Sequence, residues 1–140
     1  MVNAENAAAG SGLTVPLAEE IFKAGVDAIS LGDHTWGQKE FPGQIGSVDR
    51  LVRPANYPLD CPGKGWTLVT LPTCQIAVVN VQGRVFMNPV DCPFKTMDRI
   101  LNACTRQTLA ESAVYAYNKG GNQITGPSIR LAWCSECEEQ

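Results

Sequence analysis

The chain has 140 residues, of which 44% are hydrophobic and 18% charged, with a formal net charge of −3. That length suits one domain with its own core, and the acidic balance argues against stable nucleic-acid binding. No apolar run approaches the about 18 residues that cross a bilayer, and "MVNAENAAAGSG" lacks the basic start and apolar centre of a secretory leader. The expectation is a cytoplasmic protein with no membrane partner.

In chain order, "MVN" reads as the end of a strand, followed by the Gly-rich turn "AAAGSG". A helix is expected over residues 16–24, with Pro16 in its first turn and Gly25 at its stop. Leu17, Ala18, Ile21 and Phe22 share one face of it, which should pack on a sheet. "VDAISL" reads as a short buried strand and "GDHTWG" as the loop at its carboxyl end. A second, weaker helix should follow, cut short by Pro42 and Gly43. Residues 50–65, "RLVRPANYPLDCPGKG", read mostly as an extended, ordered loop. Residues 66–71 alternate as a strand does, "LPTC" turns the chain, and "QIAVVNV" is rich in β-branched residues. "QGRVFMNPVDCPF" is a long loop, and a helix should start near Pro93, because Phe94, Met97, Ile100 and Leu101 recur at helical spacing. Beyond about residue 103 the pattern fades: a helix around 109–117, the turn "NKGGN" and a strand at "SIRLAW".

This alternation of strands and helices argues for an α/β sheet with helices on its faces. Ligands of such folds collect beyond the carboxyl ends of the strands. Glu5 with Asn6, Asp33 with His34, and Gln82 with Arg84 fall at those ends. Glu5, Asn6 and Asp33 offer hard oxygen donors suited to Mg, Mn or Fe. His34, the only histidine in the chain, adds a nitrogen and a titratable proton. Arg84 has the planar fork that grips phosphate. Each also has an ordinary reading. Glu5 could be a solvated loop acid, Asp33 the cap of a turn, His34 a satisfied half-buried side chain and Arg84 a surface ion-pair partner.

The six cysteines include one CxxC, "CSEC", at Cys134 and Cys137. A structural zinc site needs a second ligand pair at similar spacing, and none is evident, so reduced thiols on a tail are the plainer expectation.

Taken together and in order, "NAENAAAGSGLT", "AGVDAISLGDHTWGQKE", "LVRPANYPLDCPGKG" and "VVNVQGRVFMNPVDCPF" resemble the YmdB-like metallophosphoesterases, a calcineurin-like family. "RPAN" followed by "PGKG" is the most distinctive part. The resemblance covers about residues 2–101. It implies an α/β fold, a partial metallophosphoesterase α/β/β/α sandwich lacking the family's first strand and C-terminal part. On this reading residues 1–103 form a partial metallophosphoesterase domain, and residues 104–140 a tail without family resemblance.

The implied activity is a metal-dependent phosphodiesterase acting on small phosphodiesters such as 2′,3′-cyclic nucleotides. Its cofactors would be divalent Mn, Fe or Mg, two in the complete site. Glu5, Asn6 and Asp33 take the positions of metal ligands, with Asp33 where the family usually has the asparagine of "GNH". His34 takes the position of the proton donor or phosphate contact, and Arg84 is the expected substrate contact. The family's aspartate in "GD" and its later histidines have no counterpart here, so weak or no activity is expected of this chain. The alternative is a non-enzymatic binding or assembly module that keeps the α/β scaffold, with homo-oligomers covering its bare sheet edges.

Overall fold

The structure, a computed structural model, describes residues 1–72, 75–107 and 112–119. The expected helix forms as α1, Val15–Lys23. Thr14, in extended conformation, caps it by accepting a bond from the Leu17 N–H at 3.5 Å. Gly25 ends it at φ +90°, a left-handed conformation open to glycine. Around it lie three short parallel strands, β1 (Val2–Asn3), β2 (Ile29–Ser30) and β3 (Leu51–Val52), ordered β1-β2-β3 in one sheet.

The second sheet is mixed. β4 (Trp66–Thr70) runs antiparallel to β5 (Gln75–Gln82), and β5 pairs parallel with β6 (Ser112–Lys119). The helix expected near Pro93 is α3, Pro93–Gln107, and it forms the crossover between β5 and β6.

Three apolar clusters show how these pieces stack. Leu17, Ile21 and Phe22 of α1 pack with Leu13, Phe41 and Ile45 on Ile29, Leu31 and Leu51, one face of the first sheet. The opposite face contributes Ala28 and Val52, which meet Val69 and Val78 of the second sheet. The far face of that sheet, through Ala77, Val79 and Val81, packs on Met97 and Ile100 of α3. The result is the expected α/β/β/α layering. The period-two pattern of β5 explains it, because Val78 and its alternates face one layer and Ala77, Val79 and Val81 the other. Leu13, Ile29, Leu31, Phe41 and Leu51 are all 1% exposed or less. Each contributes about 1.5–3 kcal/mol of transfer free energy.

Two local expectations are corrected. Pro42 and Gly43 do not interrupt the second helix; they lie inside it. α2 is Phe41–Gln44, with Pro42 in its first turn, where the absent N–H would have had no helical partner. Part of the stretch read as a helix around 109–117 is strand β6 instead. An open edge on β5 offers a full row of backbone partners, and that tertiary opportunity overrides weak local helical spacing. Leu109, "SIRLAW" and the "CSEC" motif lie outside the described residues, as do Thr73 and Cys74 of "LPTC".

The pairing of "RPAN" with "PGKG" has a mechanical origin. Arg53 is 5% exposed, and its guanidinium donates from Nη1 to the Pro54 carbonyl at 2.8 Å, from Nη2 to Cys61 at 2.9 Å and from Nε to Pro62 at 3.0 Å. The loop 54–62 is thus wrapped around one buried cation. Burial pushes that guanidinium below its ordinary pKa, while the nearby Cys61 and Tyr57 work the other way. The Arg53 N–H also donates to the Lys64 carbonyl at 2.9 Å. Gly65 is pressed against Ala55, since a Cβ there would lie 2.6 Å from the Ala55 Cα.

Candidate active site

The parallel strands of the first sheet all deliver their carboxyl ends to the same edge. After β1, the loop 4–12 closes tightly, with the Gly12 N–H donating to the Glu5 carbonyl at 2.5 Å. After β2, the chain enters a 3₁₀ turn over Asp33–Trp36. Thr35 Oγ1 fixes that turn by donating to the Gly32 carbonyl at 2.6 Å. The two loops are clasped. Gln38 Nε2 donates to the carbonyls of Ala8 at 3.2 Å and Ser11 at 2.7 Å. A Cβ on Gly37 would meet the Gly12 nitrogen at 2.8 Å.

The clasp brings Asn6 to His34: the Asn6 Oδ1 lies 2.6 Å from His34 Nδ1. With Nδ1–H donating to that carbonyl, the ring is fixed in orientation and Nε2 is left free for other chemistry. Nε2 lies 3.7 Å from Asp33 Oδ2. Asp33 does not serve as a turn cap, since Gly32 occupies the cap position and no side chain bonds there. Glu5 is not a solvated loop acid either. It is fully buried at 0% exposure, beneath Gly32. A Cβ on Gly32 would lie 2.7 Å from the Glu5 Cδ and closer still to Oε2. Gly32→Ala is therefore expected to lose about 1–3 kcal/mol of unfolding free energy by overpacking. Urea denaturation reads it, and an unchanged midpoint would show that the Glu5 carboxylate is not confined there.

A cleft of about 520 Å³ opens beside this corner, lined by Asp33, His34, Trp36, Tyr57, Gln82 and Phe86 among others. Tyr57, 8% exposed, anchors its floor by donating from Oη to Gln82 Oε1 at 2.7 Å, with the Gly32 carbonyl 3.3 Å away. Burial first, then the negative charge of Asp33, pushes the Tyr57 hydroxyl up to about 12. It therefore stays a donor throughout the neutral range. Because the folded pKa lies above the ordinary value of 10.0, this contribution is fully present below about pH 10. It is lost between about pH 10 and 12, where the unfolded chain releases its proton first. The expected loss is on the order of 2 kcal/mol. The difference between the unfolding midpoints of the parent and Tyr57→Phe, followed from pH 8 to 11.5, should stay constant below about pH 10 and shift against the parent above it; a difference that is constant throughout would refute the effect.

Asp33 and His34 thus line the cleft together, with Asn6 joined to His34 and Glu5 buried behind Gly32. Arg84 does not join them. It is exposed, outside the cleft lining, and its charge is felt instead by Cys92, whose thiol is held below its ordinary pKa chiefly by the backbone N–H of Lys95. Tyr57 and Trp36 enter the site only through the tertiary structure. Tyr57 directly follows "RPAN", and that adjacency was the available signal.

The layering, with an acid–imidazole pair at the carboxyl edge, defines the class: a metallophosphoesterase-type α/β fold. The family described as YmdB-like protein matches residues 1–115, and the chain belongs to it. That match continues past residue 101. The 2′,3′-cyclic-nucleotide 2′-phosphodiesterase of Bacillus subtilis is 38% identical over 136 residues, which cover 97% of this chain and 50% of that protein. A crystal structure of a hypothetical protein from Thermus thermophilus superposes with a TM-score of 0.72 at 36% identity, over 85% of this chain and 46% of that one. A novel phosphatase from Mycoplasma pneumoniae gives a TM-score of 0.70 at 26% identity, over 85% and 44%. The chain spans about half the length of these relatives.

Proposed function

We propose that this chain carries one wall of a phosphodiesterase site that acts on small phosphodiesters, with 2′,3′-cyclic nucleotides as the substrate class. The observation that supports it most is the arrangement of His34, held by Asn6 at Nδ1 and facing Asp33 across 3.7 Å with Nε2, at the mouth of the cleft. The curated Bacillus subtilis relative is named for that activity.

In its protonated form His34 offers an N–H at Nε2 that can pass to the leaving oxygen of a cleaved ester. Asn6 keeps that nitrogen turned away from the loop. Asp33 faces the imidazolium and holds it in place. The Thr35 hydroxyl holds the Gly32 carbonyl and so fixes the turn from which Asp33 and His34 project.

The donors fit one side of a hard divalent ion. Asp33 would hold it, with Glu5 and Asn6 as the further oxygen donors, while His34 keeps Nε2 for the proton. Among the described residues, no group of three or more His, Cys, Asp and Glu side chains that could hold a metal ion gathers, so Glu5, Asn6 and Asp33 would supply only part of a centre. When bound, the ion would supply positive charge to the phosphoryl oxygens.

Hydrolysis of a chromogenic diester and of 2′,3′-cyclic AMP, with and without Mn²⁺, tests this reading. Turnover above the buffer rate supports it. No turnover by the intact chain in either condition favours the alternative, a binding or assembly module that keeps the scaffold. Among the described residues, no helix is long and apolar enough to cross a membrane.

A further inference from the structure

The loop between β5 and α3 carries a feature that phosphate chemistry does not explain. Phe86 is 95% exposed, yet it lines the same cleft as Asp33 and His34. It is also one of the non-glycine residues with positive φ, at +57°. A bulky side chain in the left-handed region is strained, and such strain persists where the surrounding structure over-determines it, often at binding sites. The surroundings here do so. Asn56, 0% exposed, bonds to both feet of the loop: Nδ2 donates to the carbonyls of Gln82 and Asp91, each at 2.9 Å. A large apolar ring left in water with no packing return, on a loop pinned at its base, is placed for something that arrives from solution.

We infer that Phe86 is the stacking face for the base of a nucleotide whose phosphate sits at His34. The inference rests on the phosphodiesterase reading and deepens it. The cleft falls within the size range of small-ligand sites. Its other aromatic wall is the Trp36–Tyr57 pair, with ring centroids 6.4 Å apart. Asn88, exposed on the same loop and also lining the cleft, supplies a carboxamide for the polar edge of a base. A base has two apolar faces and a polar rim, which matches an aromatic ring and an amide on one loop. Stacking of this kind accepts any base, so the platform gives affinity for nucleotides over simple phosphoesters more than it selects among bases.

Calorimetric titration of the full chain in Mn²⁺ with two probes, inorganic phosphate and adenosine 3′-monophosphate, tests this. The parent should bind the nucleotide more tightly than phosphate. Phe86→Ala should weaken the nucleotide about tenfold and leave phosphate unchanged, and Phe86→Trp should restore the nucleotide. A ring so exposed can be removed without unfolding the chain. If the nucleotide binds no better than phosphate, or if Phe86→Ala binds it as the parent does, the platform is refuted while the phosphate site stands. If phosphate itself does not bind the parent, the phosphodiesterase reading fails, and the platform with it. Loss of self-association in Phe86→Ala on sedimentation, with nucleotide affinity unchanged, would also overturn the inference and make the ring a contact between copies.

Discussion

Replacing Asn56 with alanine is expected to lower the unfolding free energy by about 3–5 kcal/mol, a large fraction of the total for a chain of this size. The side chain is fully buried and makes its bonds in both directions. Nδ2 donates to the carbonyls of Gln82 and Asp91, and Oδ1 accepts from the Gln82 N–H at 2.8 Å. A methyl group in its place strands the buried N–H and carbonyl of Gln82, and a stranded buried group costs about 1–3 kcal/mol. The Asp91 N–H donates to the Asn56 backbone carbonyl at 3.0 Å and would remain, so the loop should loosen before it is lost. Urea denaturation checks the number; a loss under about 1 kcal/mol would mean that the buried amide is not what closes the base of the loop. Asn56→Asp should be no better tolerated, because a carboxylate cannot donate to either carbonyl.

The second large effect falls on chemistry. If the chain hydrolyses phosphodiesters, His34→Ala should lower the rate about 10²- to 10⁴-fold, the usual range for a positioned proton donor. The His34 side chain is 46% exposed, so its removal should leave the unfolding midpoint nearly unchanged, which separates lost chemistry from lost structure. Asn6→Ala should give a smaller loss, because it frees the ring to turn without removing it. A His34→Ala variant that keeps its rate within about tenfold would show that another group carries the proton. The two effects are independent in kind: Asn56 acts on the fold at the base of the loop 83–92, and His34 on the reaction in the cleft.

Much of the scaffold is legible in the sequence because its signals are local. Pro16 and Gly25 bracket α1 by local rules that need no distant partner. The β-branched run of β5 and the helical spacing of Met97 and Ile100 are equally local, and both elements form where expected. The pattern fails where the deciding partner lies elsewhere in the chain. Ser112–Lys119 becomes a strand because β5 has an edge to fill, and no window of nearby residues contains that fact. Pro42 misleads for a related reason: proline breaks a helix interior but suits its first turn, and the sequence does not mark where this helix starts.

The site divides in the same way. Residue types and order within short motifs propose Glu5, Asn6, Asp33 and His34, and the last three meet at one corner. Their roles cannot be read that way. Glu5 is buried under Gly32 because two loops that are far apart in sequence close on each other through Gln38 and Gly37. Asn6 touches His34 through that same clasp. Arg84, a phosphate grip by type, lies exposed on the loop after β5 and outside the cleft lining.

By itself, the sequence determined most of the strands and helices and the chemical vocabulary of the site, since periodicity, capping and motif composition act over a few residues; the four layers were implied only by the family resemblance. Only the tertiary structure decided which of those groups face one another. Such contacts depend on sheet pairing and loop closure across tens of residues, where a single glycine without a Cβ, or one arginine wrapped by carbonyls, sets the distance.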